Sequence, residues 1–220
     1  MNWDHKVKYT DFNLESRGLL DTGLIESLNE RAKRMVQWQW GSSSTLPGGV
    51  AYAASLAHHR VLGSVFMMRL CDVNLTSVPD DHLASLVSCV TNNVHIENVS
   101  GCDFRTILNS VRCERLYITR QSLGSEETQA LVRAMESRVS ELELNGGCST
   151  MTLDINTLTS YNGLGKCTKV KCYNNTAHKY RKELRTWARS RNWRVTSDTY
   201  DSIYLCDNSH KNEIVYVQTV

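Results

Sequence analysis

Leu116-Tyr117-Ile118-Thr119-Arg120-Gln121-Ser122-Leu123-Gly124-Ser125-Glu126-Glu127-Thr128-Gln129-Ala130-Leu131-Val132-Arg133-Ala134-Met135-Glu136 changes its apolar period partway along. At its start Leu116 and Ile118 flank Tyr117, the alternation of a strand with one buried side. From Ser125 onward the apolar residues Ala130, Leu131, Ala134 and Met135 fall on one side of a helix. Glu126 and Glu127 open that helix, where carboxylates meet the positive end of its dipole. The stretch therefore predicts a strand followed directly by a helix.

The same unit recurs on either side. Apolar-x-apolar segments appear at Val65-Phe66-Met67-Met68, Val94-His95-Ile96, Leu142-Glu143-Leu144 and Val170-Lys171-Cys172. Their spacing of roughly 22 to 28 residues lies in the range of leucine-rich repeats. Between them, Leu83, Leu86, Val87 and Val90 form one helical stripe behind Pro79-Asp80-Asp81, a good first turn. Thr176 is read as the cap of a further helix, running to about Arg191 and burying Tyr180, Leu184, Trp187 and Ala188. Two linking stretches, 103–111 and 154–161, allow only short helices. One such unit cannot hide its own apolar side, whereas stacked neighbours can. The expected fold is α/β: a short leucine-rich-repeat-like solenoid, with parallel strands lining a concave face and helices outside.

The ends read differently. Residues 1–46 are expected to be an N-terminal helical cap, because Leu20, Leu24, Ile25, Leu28, Ala32, Met35 and Val36 share one side of a helix reaching Trp40. Gly41 to Gly49 reads as a loop or short linker. Residues 47–192 form the repeat arc. Residues 193–220 form a C-terminal β cap, with strands at Arg194-Val195-Thr196, Ile203-Tyr204-Leu205 and Glu213-Ile214-Val215-Tyr216-Val217 that close off an otherwise exposed edge.

Composition sets broad limits. With 220 residues, 41% hydrophobic and 22% charged, the chain has ordinary globular values, and its two prolines argue against polyproline stretches. A net charge of +2 does not identify a polyanionic partner, so any basic recognition is local. No apolar run approaches the roughly 20 residues that span a bilayer, and no membrane partner is expected. The start, Met1-Asn2-Trp3-Asp4-His5-Lys6, lacks the apolar core of a secretory signal. The eight cysteines, Cys71, Cys89, Cys102, Cys113, Cys148, Cys167, Cys172 and Cys206, are scattered. They are read as reduced, partly buried thiols of a cytoplasmic protein.

Two stretches carry a resemblance. The 116–136 run quoted above, and Tyr180-Arg181-Lys182-Glu183-Leu184-Arg185-Thr186-Trp187-Ala188-Arg189-Ser190-Arg191-Asn192-Trp193, resemble the leucine-rich-repeat-like C-terminal regions of multidomain immune-type proteins in invertebrate chordates. The resemblance covers roughly residues 60 to 200. It implies a ribonuclease-inhibitor-like horseshoe segment and a recognition or scaffolding role, and it implies no catalytic residues.

Motifs that would carry chemistry are incomplete. Gly163-Leu164-Gly165-Lys166-Cys167-Thr168 suggests a phosphate loop, but Ser160 stands where that motif needs glycine and Cys167 replaces its hydroxyl residue. A tight turn before a strand is the better reading. Cys167, Cys172 and His178 lack the second close pair that zinc requires. His58-His59 closes a helix, where imidazoles suit the negative dipole end, with no carboxylate or cysteine at ligand spacing along the chain. No nucleophile elbow, His-Glu-x-x-His helix or dinucleotide turn occurs. The expectation is a protein that is not an enzyme and uses no cofactor or metal.

Binding has two candidate surfaces. The residues between the inward apolar pairs form a row, Met67, His95, Tyr117, Glu143 and Lys171, whose mixed chemistry suits a protein partner. The alternative is nucleic acid on a basic face of the helix within 179–194: Lys179, Arg181, Lys182, Arg185 and Arg189. Tyr180 and Trp187 lie on its buried stripe, so they are not available to stack on bases. The leading expectation is a non-catalytic interaction or recognition module, of the kind that serves immune or self/non-self signalling.

Overall fold

Strands whose alternate residues are apolar pack one side and leave the other half wet, a rule that Arg115–Thr119 and Lys169–Tyr173 follow. The computed structural model describes residues 11–13, 37–40, 47–60, 62, 64–146 and 151–208. The chain separates into two units, Met1–Glu114 and Arg115–Val220, a division that falls inside the 47–192 stretch.

In the first unit four strands run parallel in chain order: β1 (Asp11–Asn13), β2 (Gln37–Trp40), β3 (Val65–Cys71) and β4 (Val90–Glu97). Among its described residues three helices accompany them: α1 (Pro47–His58), α2 (Asp80–Ser88) and α3 (Phe104–Ser110). α1 packs on α2, and α2 on α3. The core joins Val50, Ala53 and Ala54 of α1, Leu83, Leu86 and Val87 of α2 and Ile107 and Leu108 of α3. Met68 and Leu70 of β3 and Val94 and Ile96 of β4 complete it. Each large aliphatic side chain among them contributes about 1.5–3 kcal/mol on burial.

After β3 and β4 the chain makes the same turn twice. Asp72 and Asn98 both take positive φ, 50° and 49°, and Asn98 Nδ2 donates to Asp72 Oδ1 at 2.9 Å. Asn74 and Ser100 then form a parallel bridge. Gly101, at φ 74°, is required here, because a Cβ at that position would lie 2.2 Å from Asn74 Oδ1.

Two expectations change in this unit. Gln37–Trp40 is a strand and not the end of a helix: Gln37, Trp38, Gln39 and Trp40 alternate polar and aromatic, the period of a strand. Pro47-Gly48-Gly49 is the first turn of α1 and not loop, since a proline lacks only an N–H that the first turn leaves unpaired. The helical stripe read within 19–36 lies outside the described residues.

In the second unit β5 (Arg115–Thr119), β7 (Glu141–Asn145) and β9 (Lys169–Tyr173) are parallel neighbours. β11 (Ser202–Cys206) pairs antiparallel with β9, and β10 (Arg194–Thr199) antiparallel with β11. Two short strands, β6 (Ser122–Leu123) and β8 (Thr152–Leu153), form a separate parallel ladder. The helices are α4 (Ser125–Ser137), α5 (Ile155–Thr159) and α6 (Asn174–Ser190).

Local chemistry sets these helix starts. Glu127 accepts from the Gly124 N–H at 2.8 Å, and Asp154 accepts from the Thr157 N–H at 3.1 Å. Thr176, read from the sequence as the cap of this helix, does not cap α6. β9 runs straight into the helix, Tyr173 is the cap residue, and the buried Thr176 hydroxyl accepts from the Met151 N–H at 3.3 Å.

The aromatic core of this unit is Tyr161, Trp187 and Trp193. Trp187 and Trp193 lie 5.4 Å apart between ring centroids, and Trp187 Nε1 donates to the Tyr161 carbonyl at 3.1 Å. The Tyr161 hydroxyl donates to the Cys167 carbonyl at 2.9 Å, and burial pushes its pKa up to about 12. Gly165 explains the glycine-rich stretch: a Cβ there would sit 2.4 Å from the Glu136 backbone, so the glycine permits a close chain crossing.

Among the described residues the structure is mixed α/β, with a mostly parallel sheet and six helices. None of these helices is long and apolar enough to cross a membrane. The strand expected at 213–217, and Cys148, lie outside the described residues.

Candidate interaction surface

In the second unit the inward positions Leu116, Ile118, Leu142, Leu144, Val170, Cys172, Ile203 and Leu205 are all buried. α6 packs over β7, β9, β10 and β11. The opposite face is largely half-exposed, with Glu141 buried within it, and its register is continuous. Tyr117 pairs with Glu143, Glu143 with Lys171, and Lys171 with Tyr204. Three residues expected to form a row therefore stand side by side. Tyr204 was missed, although Ile203-Tyr204-Leu205 shows the same apolar-x-apolar signal as the other strands.

Flanking rows complete the face: Arg115, Glu141 and Lys169 on one side, and Thr119, Asn145 and Tyr173 on the other. Lys171 lies at the centre. Its ammonium pairs with Glu141 and donates to Glu143 Oε1 at 2.9 Å, and it lies 5.7 Å from the Tyr204 ring centroid. The Tyr173 hydroxyl donates to Glu143 Oε2 at 2.9 Å, and its ring meets Tyr204 edge-on at 5.6 Å. Arg115 Nε lies 3.6 Å from Glu141 Oε2.

The electrostatics follow from this packing. Burial opposes the charge on Lys171, but the hydrogen bonds it donates to Glu141 and Glu143 outweigh it and hold the ammonium above its ordinary range. Burial likewise opposes the Glu141 carboxylate, and the bond from Lys171 wins, so that carboxyl is held below its usual value. Tyr117 and Tyr173 are raised, first by burial and then by the Glu143 charge. Both remain neutral phenols able to donate. The face thus offers aromatic rings and donors held in place by an internal ion network.

The first unit arranges its face otherwise. Met67 pairs with Asn93, and His95 with Arg69, so Met67 and His95 share a face but not a row. A register shift between Val65 and Met67, where β4 carries one extra residue, puts His95 on the face of Met67 but two positions further along, opposite Arg69. Arg69 Nε donates to Cys71 Sγ at 2.9 Å, and Glu97 Oε2 lies 3.4 Å from that sulfur and 3.7 Å from His95 Nε2. Burial raises the Cys71 thiol more than Arg69 lowers it, so the group is not an activated nucleophile. Burial, then the Arg69 charge, lowers the His95 pKa.

On the basic helix the cations do not form one open stripe. Arg181 and Arg185 both bind Asp198 of β10, the latter through Nε at 2.6 Å. Arg181 Nη2 also donates to the Thr199 and Tyr200 carbonyls at 2.6 and 2.9 Å. Lys179 lies 5.0 Å over the Tyr180 ring, and Lys182 borders a shallow depression with Thr159, Glu183 and Trp187. Arg189 lies in the last turn of α6. Tyr180 and Trp187 are buried, as the stripe predicted.

Cys167 and Cys172 are core residues whose thiols burial pushes up to about 12. Among the described residues no third ligand gathers with them. Comparison with family models, curated proteins and solved structures returned no match to this chain.

Proposed function

We propose that the protein is a non-catalytic protein-interaction module, built of leucine-rich-repeat-like strand–helix units, that engages its partner through the Tyr117–Glu143–Lys171–Tyr204 row. The supporting observation is the half-exposed face of a largely parallel sheet. Parallel strands are ordinarily covered on both sides. Here one side carries aromatic, acidic and basic side chains in register, a composition suited to a protein surface. The repeated turn at Asp72 and Asn98, the parallel bridge at Asn74 and Ser100, and the β6–β8 ladder support the repeat reading. The resemblance of 116–136 and 180–193 adds a role in immune-type recognition. The nucleic-acid alternative is weaker, because Arg181 and Arg185 are engaged by Asp198.

Tyr117 and Tyr204 are the expected anchors, since aromatic hot spots cost about 2 kcal/mol or more when truncated. Affinity capture with the wild-type chain and with Tyr117→Ala/Tyr204→Ala, read by quantitative mass spectrometry, tests this. Proteins retained by the wild type should be lost from the variant while its thermal unfolding stays the same. Equal capture by both would remove this face from consideration.

A further inference from the structure

His58 ends α1 and His59 follows it, and the first turn of α2 supplies what the sequence around them lacks. Asp81 and His82 stand beside the end of α1 because the two helices pack together. The ligand atoms of His58, Asp81 and His82 all lie within 4.8 Å of one another. His58 Nδ1 is 3.9 Å from Asp81 Oδ2, and the His58 and His82 rings stack at 4.2 Å. His59 stands farther out, its ring 6.1 Å from that of His82.

We propose that His58, Asp81 and His82 form a binding site for a borderline divalent transition-metal ion, of which Zn²⁺ is the representative, with a water as fourth ligand. Two imidazoles and one carboxylate suit such an ion and not Mg²⁺ or Ca²⁺, which take oxygen donors. Tetrahedral bonds of about 2.1 Å place donors about 3.4 Å apart. The present spacing closes to that value by side-chain rotation, which is cheap here because His58 and Asp81 are exposed and His82 is only half-buried. The same exposure leaves an entry path and room for the water.

Helix dipoles pull in opposite senses at this point. The end of α1 favours a cation, the start of α2 opposes one, and the Asp81 charge offsets the latter. The ion would clip the end of the first helix to the start of the second, so binding is coupled to the stability of that pair.

The test uses the full chain, kept reduced and stripped with a chelator, titrated with Zn²⁺ by calorimetry and with Co²⁺ by absorption. The expected result is one ion per chain, a raised unfolding temperature, and a Co²⁺ spectrum without a thiolate charge-transfer band. Losing only an outer partner of a metal ligand costs about 10–100-fold in affinity, so His58→Ala/His82→Ala should cost more than about 100-fold. Asp81→Asn, which keeps the shape of the side chain, should weaken binding if the double variant does not fold. His59→Ala should leave it unchanged. Undiminished binding by the folded double variant or by Asp81→Asn, or a thiolate band from the cysteines, overturns the site.

Discussion

The half-exposed faces of the two units are built on the same backbone plan and carry different chemistry. In the second unit Tyr117, Glu143, Lys171 and Tyr204 stand in unbroken register, and one ammonium ties two carboxylates together. In the first, one extra residue in β4 sets Met67 beside Asn93 and Arg69 beside His95, and the charges gather around Glu97. The difference teaches that register decides which side chains act together. A single inserted residue moves a partner by a full step along the strand, and no change in composition is needed.

The largest expected effect tests whether the second face depends on its core. Trp187→Ala opens a void beside Tyr161 and Trp193 and should cost about 3–5 kcal/mol, read by chemical denaturation. Hydrogen exchange should rise across α6 and β9. A loss below about 1 kcal/mol would mean that the aromatic cluster does not hold the sheet.

A smaller effect sharpens the contrast between the faces themselves. Lys171→Ala leaves the buried Glu141 and its neighbour Glu143 without their shared cation, and should cost about 1–3 kcal/mol. Arg69→Ala removes a more exposed partner of Glu97 and should cost less than about 1 kcal/mol. Equal losses from the two substitutions would show that the register difference has no energetic weight.

The smallest effect is in pH. Glu141 has a depressed carboxyl in the folded state, so its contribution is present above its unfolded value of 4.5 and fades as pH falls through the lower folded value. His95 has a depressed imidazole, so protons bind the unfolded chain first. Its contribution is complete above 6.5 and is lost as pH falls below that value. Unfolding free energy followed from pH 8 to 3 should therefore begin to fall near 6.5 through His95, and to fall again below 4.5 through Glu141. His95→Gln should remove the upper slope alone, and its persistence in that variant would assign it elsewhere.

Much of this was legible in the chain. Leu116 and Ile118, Leu142 and Leu144, and Val170 and Cys172 announced their strands because burial on one side imposes a period of two, and their middle residues then had to face outward. At Gln37 the helical stripe ended and a strand period began, but the two overlap for too few residues to separate by pattern. β6 and β8 are two residues long and hold no period at all. The slip between Met67 and His95 arises from pairing with another strand, which composition does not record. The meeting of His58 with Asp81 depends on how one helix seats against the next, so neither segment carries the signal alone.

The reversal of direction beyond β9 limits growth of the series. A strand–helix unit delivers its next strand pointing the same way as the last, and β9 has already given that edge to β11, which points the other way. A duplicated unit inserted after α6 would have to displace the β10–β11 hairpin before it could dock. The hairpin therefore acts as a stop on that edge, which takes no further parallel strand while β11 holds it.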